Sequence, residues 1–216
     1  MGRLPLDLSL YLVTDTLMCG QFGVVATVSA AVGAGVTVVQ LRDTDATDDE
    51  LVRLGRQVMA VLKGTDVALI VNDRVHLVDA IGAHGGHVGQ SDLQIGQARA
   101  LLGPAAYLGL SVQTVEQVAA AREHADGTVD YLGVGPVWGT ATKLDAAAPG
   151  GLERLHQVTS ASPWPCVAIG GINRQRLPRV RRAGAAGAAV VSAICGQPDV
   201  AAATRALRAA WDGASR

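Results

Sequence analysis

Short apolar runs alternate with longer amphipathic stretches along the whole chain. Eight runs recur, at 8–15, 37–43, 68–73, 85–90, 107–112, 130–137, 165–172 and 187–194. They are rich in β-branched residues, as in Val36-Thr37-Val38-Val39, and they are nearly continuous rather than alternating. Continuous runs suit parallel strands that are covered on both faces. Each gap between runs has room for one helix. Thr47, followed three residues later by Glu50, reads as a capping box, and Leu51, Leu54, Val58 and Val61 then recur at helical spacing. A further helix starts at Thr114, with Val115, Val118 and Ala119 on one face. Another is capped by Asn173, turns Leu177 and Val180 inward and ends at Gly184; Pro178 is tolerated in its first turns. The last helix runs from about Val200 to Trp211, and residues 18–23 read as a loop. A strand followed by a helix, repeated eight times, predicts the α/β class and a single (β/α)8 TIM barrel over residues 1–216, with a parallel eight-stranded core.

Composition narrows this picture. The 216 residues contain no proline- or serine-rich linker, which fits one domain. Aromatic residues make up only 3% while alanine and glycine abound, so the core must be aliphatic and the helices must approach the sheet closely. A formal net charge of −1 offers no electrostatic footprint for nucleic acid. No apolar run is long enough for a bilayer, and no secretory signal is expected. The partners expected are therefore small molecules, with neither nucleic acid nor membrane among them; a homo-oligomer is compatible with the sequence. Three cysteines, Cys19, Cys166 and Cys195, lack metal-ligand spacing and point to reduced thiols in a cytoplasmic protein. Cys166 and Cys195 lie in apolar runs and read as small core residues.

In barrels of this class the active site gathers at the C-terminal ends of the strands. Gly170-Gly171 ends the seventh run and Val191-Ser192 the eighth, two places where backbone N–H groups can approach a phosphate. Asp73 and Asp92 follow the third and fourth runs. Neighbouring strands would bring both carboxylates to one rim, and hard oxygen ligands there suit Mg²⁺. Taken singly, Asp73 could be a helix cap and Asp92 a loop residue. Gln40 and Arg42 stand at i and i+2, so both point to one face. On the barrel interior Arg42 becomes a forked phosphate donor and Gln40 can read an amide- or amine-like edge. A purely structural Arg42 would need a carboxylate such as Asp15 or Asp43. Thr140-Ala141-Thr142-Lys143 offers two hydroxyls and an ammonium to a second phosphate or to charge on a leaving group. Ser111 can hydrogen-bond a substrate, but no His or Asp partner lies near it in sequence. His87 reads equally as a satisfied core residue or a functional one, and the other histidines take no role.

These corners resemble the thiamine-phosphate synthase family over nearly the whole chain. The resemblance rests on Tyr11-Leu12-Val13-Thr14-Asp15, Val39-Gln40-Leu41-Arg42, Val71-Asn72-Asp73-Arg74, His87-Val88-Gly89-Gln90-Ser91-Asp92-Leu93, Gly133-Val134-Gly135-Pro136-Val137, Thr140-Ala141-Thr142-Lys143 and Val167-Ala168-Ile169-Gly170-Gly171-Ile172-Asn173. It implies a Mg²⁺-dependent transfer that joins hydroxymethylpyrimidine diphosphate to a thiazole phosphate. The diphosphate leaves first, and the thiazole nitrogen captures the resulting cation. Carried over by residue, Asp73 and Asp92 would hold Mg²⁺. Gln40, Leu41, Arg42, Asp43, Thr44, Asn72 and Ser111 would bind the pyrimidine diphosphate. Thr140, Ala141, Thr142, Gly171, Val191 and Ser192 would cradle the thiazole phosphate, with Lys143 at the diphosphate. Ser111, Lys143 and Arg42 would be the residues that act in catalysis. One position departs from the family: an acidic residue and then lysine commonly follow Gln-Leu-Arg, whereas Asp43 is followed here by Thr44. The loss of that charge implies weaker diphosphate binding and leaves open a catalytically silent barrel. The related thiazole tautomerases place a histidine where Ser111 stands. A sugar-phosphate isomerase or epimerase would explain the late glycine corners but neither Gln40 nor the aspartate pair.

Overall fold

The computed structural model describes residues 6–140, 142 and 148–214. Eight parallel strands close into a barrel in chain order, with the eighth pairing the first. They are β1 (Leu10–Val13), β2 (Val38–Leu41), β3 (Ala68–Asn72), β4 (Gly85–Val88), β5 (Tyr107–Val112), β6 (Tyr131–Val134), β7 (Cys166–Ile169) and β8 (Gly187–Val190). Each falls inside one of the eight apolar runs. The helices are α1 (Thr16–Cys19), α2 (Gly23–Val32), α3 (Asp48–Leu62), α4 (Val78–Ile81), α5 (Ile95–Leu102), α6 (Val115–Ala121), α7 (Gly151–Ala161), α8 (Leu177–Arg182) and α9 (Val200–Gly213). Among the described residues none is long and apolar enough to cross a membrane.

The near-continuous hydrophobicity of the strands has a direct cause, because successive side chains serve two separate layers. Leu10, Leu12, Val39, Leu41, Leu69, Val71, Leu108, Leu132 and Val190 point outward and pack beneath the helices. Tyr11, Val13, Val38, Ile70, Tyr131, Val167 and Ala189 point inward and pack against one another. Cys166 and Cys195 are buried in the outer layer as expected, and Cys19 joins them.

Several local expectations need correction. Residues 18–23 are not a loop. Asp15 caps α1 by accepting from the Met18 N–H at 2.9 Å, and a short 3-10 turn (Gly20–Phe22) leads straight into α2. Gly20 and Gly23, which read as loop glycines, supply the positive φ values that stop one short helix and start the next. In α6 the inward residues are Val118 and Ala121, whereas Val115 is 38% exposed and Ala119 is also exposed. A helix of two turns has one inward stripe, and Val118 and Ala121 fill it. Asn173 closes a turn by accepting from the Arg176 N–H, and α8 begins only at Leu177. The capping box of α3 forms as expected, but its buried stripe is Leu51, Gly55, Val58 and Leu62, with Leu54 and Val61 at its edges. Gly55 is required by close approach: a Cβ there would lie 2.7 Å from Ile81 Cγ2 on α4.

Inside the barrel, glycine is what makes room for larger neighbours. A Cβ on Gly109 would lie 2.3 Å from both His87 Nδ1 and Tyr131 Cζ. Neither ring can retreat, since both are buried and hydrogen-bonded. Gly109→Ala is therefore expected to cost about 1–3 kcal/mol by overpacking, lowering the melting temperature by several degrees in thermal denaturation. Gly213→Ala, at the end of α9 with nothing within 4 Å of the added carbon, serves as the control and should leave the melting temperature unchanged or slightly raised. Equal melting temperatures for the parent and Gly109→Ala would contradict this packing.

Candidate active site

The C-terminal ends of the strands enclose a cavity of about 470 Å³ that opens on the barrel axis. Its lining is polar at the top and apolar beneath, because each inward strand residue is followed two positions later by another on the same face. Val38 thus lies below Gln40, and Ile70 below Asn72.

One side of the mouth is built by the corners after β2, β3 and β4. Gln40 is buried at 6% exposure, and Arg42 stands above it on the same face. The Thr14 hydroxyl accepts from the Arg42 N–H at 3.0 Å, which fixes the end of β2. The Arg42 guanidinium lies 3.9 Å from Asp15 Oδ2, a loose pair that leaves most of its fork for a ligand. Thr44 also lines the cavity. Arg74 ties this corner to the next, donating to the backbone oxygens of Asp43 and Ala46 and to the Asp48 carboxylate.

Two of the residues expected at the substrate face elsewhere. The Leu41 side chain is fully buried in the layer beneath the helices, since it alternates with Gln40. The Asp43 carboxylate turns into its own loop, accepting from the Thr16 hydroxyl at 2.7 Å and from the N–H groups of Asp45 and Ala46. Burial raises its pKa, but these hydrogen bonds and Arg74 outweigh that and hold the carboxyl below the usual range. Asp43 thereby shapes the loop that carries Thr44.

Asn72, Asp73 and Asp92 all line the cavity. Asp73 has φ of +57°, the one described non-glycine residue with positive φ, and its N–H donates to His87 O at 2.8 Å. Aspartate tolerates this conformation better than most residues, and here it marks the turn from β3 into the rim. Asp92 Oδ2 accepts from the Gly89 N–H at 2.7 Å, which closes the loop after β4. Among the described residues no group of three or more His, Cys, Asp or Glu side chains is placed to hold a metal ion by itself. A pair of carboxylates beside an open cavity fits Mg²⁺, which keeps water and takes phosphate oxygens as its other ligands.

The opposite side is built by the corners after β6, β7 and β8. The Val137 N–H donates to Ile169 O and the Trp138 N–H to Gly170 O, stitching the first two corners together. Gly171 has φ of +60°, and a Cβ there would lie 2.6 Å from Gly139 O, so only glycine permits this approach. Arg176 donates to Gly171 O and its guanidinium lies 4.7 Å from the Trp138 ring centre. Thr140 and Thr142 share a hydroxyl hydrogen bond at 2.8 Å and line the cavity with Gly171, Val191 and Ser192. Ala141 and Lys143, both expected at the substrates, lie outside the described residues.

Between the two sides, the sequence reading missed a connected row of buried polar side chains. Tyr11 and Tyr131 sit inside the barrel with their hydroxyls 2.8 Å apart. Gln40 Nε2 donates to Tyr11, and His87 bridges Tyr131 to Ser111. Burial pushes both phenols above their usual range. Ser111 thus has a histidine partner after all, with Nε2 2.8 Å from its Oγ, supplied by the neighbouring strand rather than by nearby sequence. The readable signal was the scarcity of aromatics: all three tyrosines fall on the inward phase of their strands. Gln90, Ser91 and Gln113 also line the cavity, and Gln90 donates to Ser111 O at 2.7 Å.

Comparison with known proteins agrees with this geometry. The family profile described as thiamine monophosphate synthase matches residues 10–194. The thiamine-phosphate synthase of Azorhizobium caulinodans is 45% identical over 204 residues, 94% of this chain and 95% of that one. Its counterpart in a Psychrobacter species is 46% identical over 192 residues, 89% of this chain and 90% of that one. Among solved structures, thiamine phosphate pyrophosphorylase from Pyrococcus furiosus superposes with a TM-score of 0.87 at 32% identity, covering 98% of this chain and 99% of that one. With matches of this extent added to the barrel and its cavity, the chain belongs to the thiamine monophosphate synthase family, enzymes of thiamine biosynthesis.

Proposed function

We propose that this chain joins 4-amino-2-methyl-5-hydroxymethylpyrimidine diphosphate to 4-methyl-5-(2-hydroxyethyl)thiazole phosphate, giving thiamine phosphate and pyrophosphate with Mg²⁺ as cofactor. The observation that carries this reading is the division of one cavity into two unlike sides. Gln40, Arg42, Asn72, Asp73 and Asp92 stand on one side, and Thr140, Thr142, Gly171, Val191 and Ser192 on the other. Two substrates, each bearing a phosphate, have separate places to bind there.

Bound between Asp73 and Asp92, Mg²⁺ would neutralise the diphosphate oxygens as they depart. Arg42 holds the same diphosphate with its fork and Asn72 adds an amide donor, so positive charge and dipoles stand where negative charge develops. Lys143 has this role by the family pattern. Ser111 and Gln40 hold the ring of the pyrimidine, which stabilises the cation left behind. The bond from the methylene carbon to the diphosphate oxygen breaks, and its electron pair leaves with that oxygen. The lone pair of the thiazole nitrogen then closes on the same carbon, and no proton is gained or lost. Thr140, Thr142, Gly171 and Ser192 hold the thiazole phosphate so that the nitrogen faces that carbon. Binding both substrates inside one barrel mouth limits the water that could trap the cation.

The test is an end-point assay with both phosphorylated substrates and Mg²⁺, detecting thiamine phosphate by oxidation to its fluorescent thiochrome form. The parent is expected to give product, and Asp92→Ala to lose activity on the order of a hundredfold. Equal product from both would remove Asp92 from the metal site. Thiazole phosphate binding without product would instead favour a silent barrel. Thr44→Lys restores the cation at an exposed position on the cavity. It is expected to tighten pyrimidine diphosphate binding about two- to fivefold, the scale of an exposed ion pair. Unchanged affinity in titration calorimetry would show that this corner does not reach the diphosphate.

A further inference from the structure

The polar row that crosses the barrel from Gln40 to Ser111 has a direction. Gln40 Nε2 donates to Tyr11 Oη at 3.0 Å. Tyr11 Oη lies 2.8 Å from Tyr131 Oη, and Tyr131 Oη lies 3.0 Å from His87 Nδ1. His87 Nε2 in turn lies 2.8 Å from Ser111 Oγ. Both tyrosines are 1% exposed, and burial keeps both phenols protonated. Each hydroxyl therefore has one proton to give and lone pairs with which to accept.

One order of protons uses every donor in the row. Tyr11 accepts from the Gln40 amide, and both phenol protons find an acceptor within the row in one order only, with Tyr11 donating to Tyr131 and Tyr131 to His87 Nδ1. A neutral imidazole that accepts at Nδ1 carries its proton on Nε2, and that proton goes to Ser111 Oγ. The hydroxyl proton of Ser111 is then available to a ligand in the cavity. At the other end, Gln40 has turned its amide nitrogen to Tyr11 and keeps its carbonyl oxygen for the ligand. The missing Cβ atoms of Gly109 and Gly133 hold the geometry, since carbons there would lie 2.3 Å from His87 Nδ1 and 3.0 Å from His87 Cε1.

We propose that Tyr11, Tyr131 and His87 are positioning residues forming a one-way hydrogen-bond relay. The relay holds His87 as its Nε2-protonated tautomer, fixing an acceptor at Gln40 and a donor at Ser111. Its two ends are coupled. To present a donor at Gln40, the amide must turn over, both phenol protons must move and His87 must exchange tautomers. The matching ligand is a flat ring with an N–H donor at one edge and a bare ring nitrogen at another, as an aminopyrimidine has. That assignment of the ligand rests on the function proposed above, whereas the tautomer does not.

Long-range proton–nitrogen NMR of the full chain with labelled histidine reads the tautomer directly without substrate, the His87 signals being those lost in His87→Asn. The parent is expected to show a protonated Nε2 and a bare Nδ1. Tyr131→Phe keeps the ring and removes the link. It is expected to lose the single tautomer and to bind the pyrimidine diphosphate about tenfold more weakly, roughly one hydrogen bond's worth, with thiazole phosphate binding unchanged in calorimetry. Tyr11→Phe cuts the neighbouring link and should produce the same pair of changes. A proton on Nδ1 in the parent would overturn the relay. So would a Tyr131→Phe protein with the parent's tautomer and the parent's affinity. If the parent shows the expected tautomer but binds neither substrate, the relay stands and the proposed function fails.

Discussion

An eight-stranded barrel is wide enough inside for side chains and little more, so every inward position is decided by what stands opposite it. That constraint orders the rest of this structure. The floor is filled by Val38, Ile70 and Val167, which need only volume. Above them the interior turns polar, and a polar group in a closed interior must find a partner or destabilise the fold. Gln40, Tyr11, Tyr131, His87 and Ser111 meet that demand by satisfying one another. Among the described residues no fully buried side-chain nitrogen or oxygen lacks a hydrogen-bond partner. Gly109 and Gly133 are the counterpart of this arrangement, small where the neighbouring strands are large.

The same geometry divides the chemistry. Strands β2 to β5 contribute side chains whose polar atoms lie on or above the relay, and the loops beyond them carry Arg42, Asp73 and Asp92. Strands β7 and β8 contribute smaller inward residues, and among the described residues the loops beyond β6 to β8 line the cavity with backbone and hydroxyl groups. The loops are held by contacts that never face the cavity. Asp43 folds its own turn, Arg74 joins two corners, and Arg176 stacks on Trp138 while gripping Gly171. Binding groups on otherwise mobile elements thereby become parts of a rigid frame.

Much of this was legible in the sequence, for physical reasons that can be named. Strands covered on both sides advertise themselves as β-branched runs, and all eight were found. Corner residues follow from the strand ends, so Gln40, Arg42, Thr44, Asn72, Asp73, Asp92 and Ser111 fall on the cavity as expected. Leu41 fails because a motif read as a block ignores the period of two: its neighbours face the cavity and it does not. Asp43 fails because a short acidic side chain beside its own loop amides folds back on them. The relay was hidden for a different reason. Its members are joined across the barrel, Tyr11 to Tyr131 over 120 residues of chain and His87 to Ser111 over 24, and no local pattern encodes contacts at such separation. The inward face of α6 was read only in part, Val118 but not Val115 or Ala119, since a helix of two turns leaves the phase of its inward stripe weakly defined.

The most direct measurement is a crystal structure of the full chain with pyrimidine diphosphate and Mn²⁺ in place of Mg²⁺, located by its anomalous scattering. The two-sided cavity predicts the metal in contact with Asp73 and Asp92, the diphosphate against Arg42, and the pyrimidine ring between Gln40 and Ser111. A metal bound away from those carboxylates, or a ring seated among Thr140, Gly171 and Ser192, would contradict it.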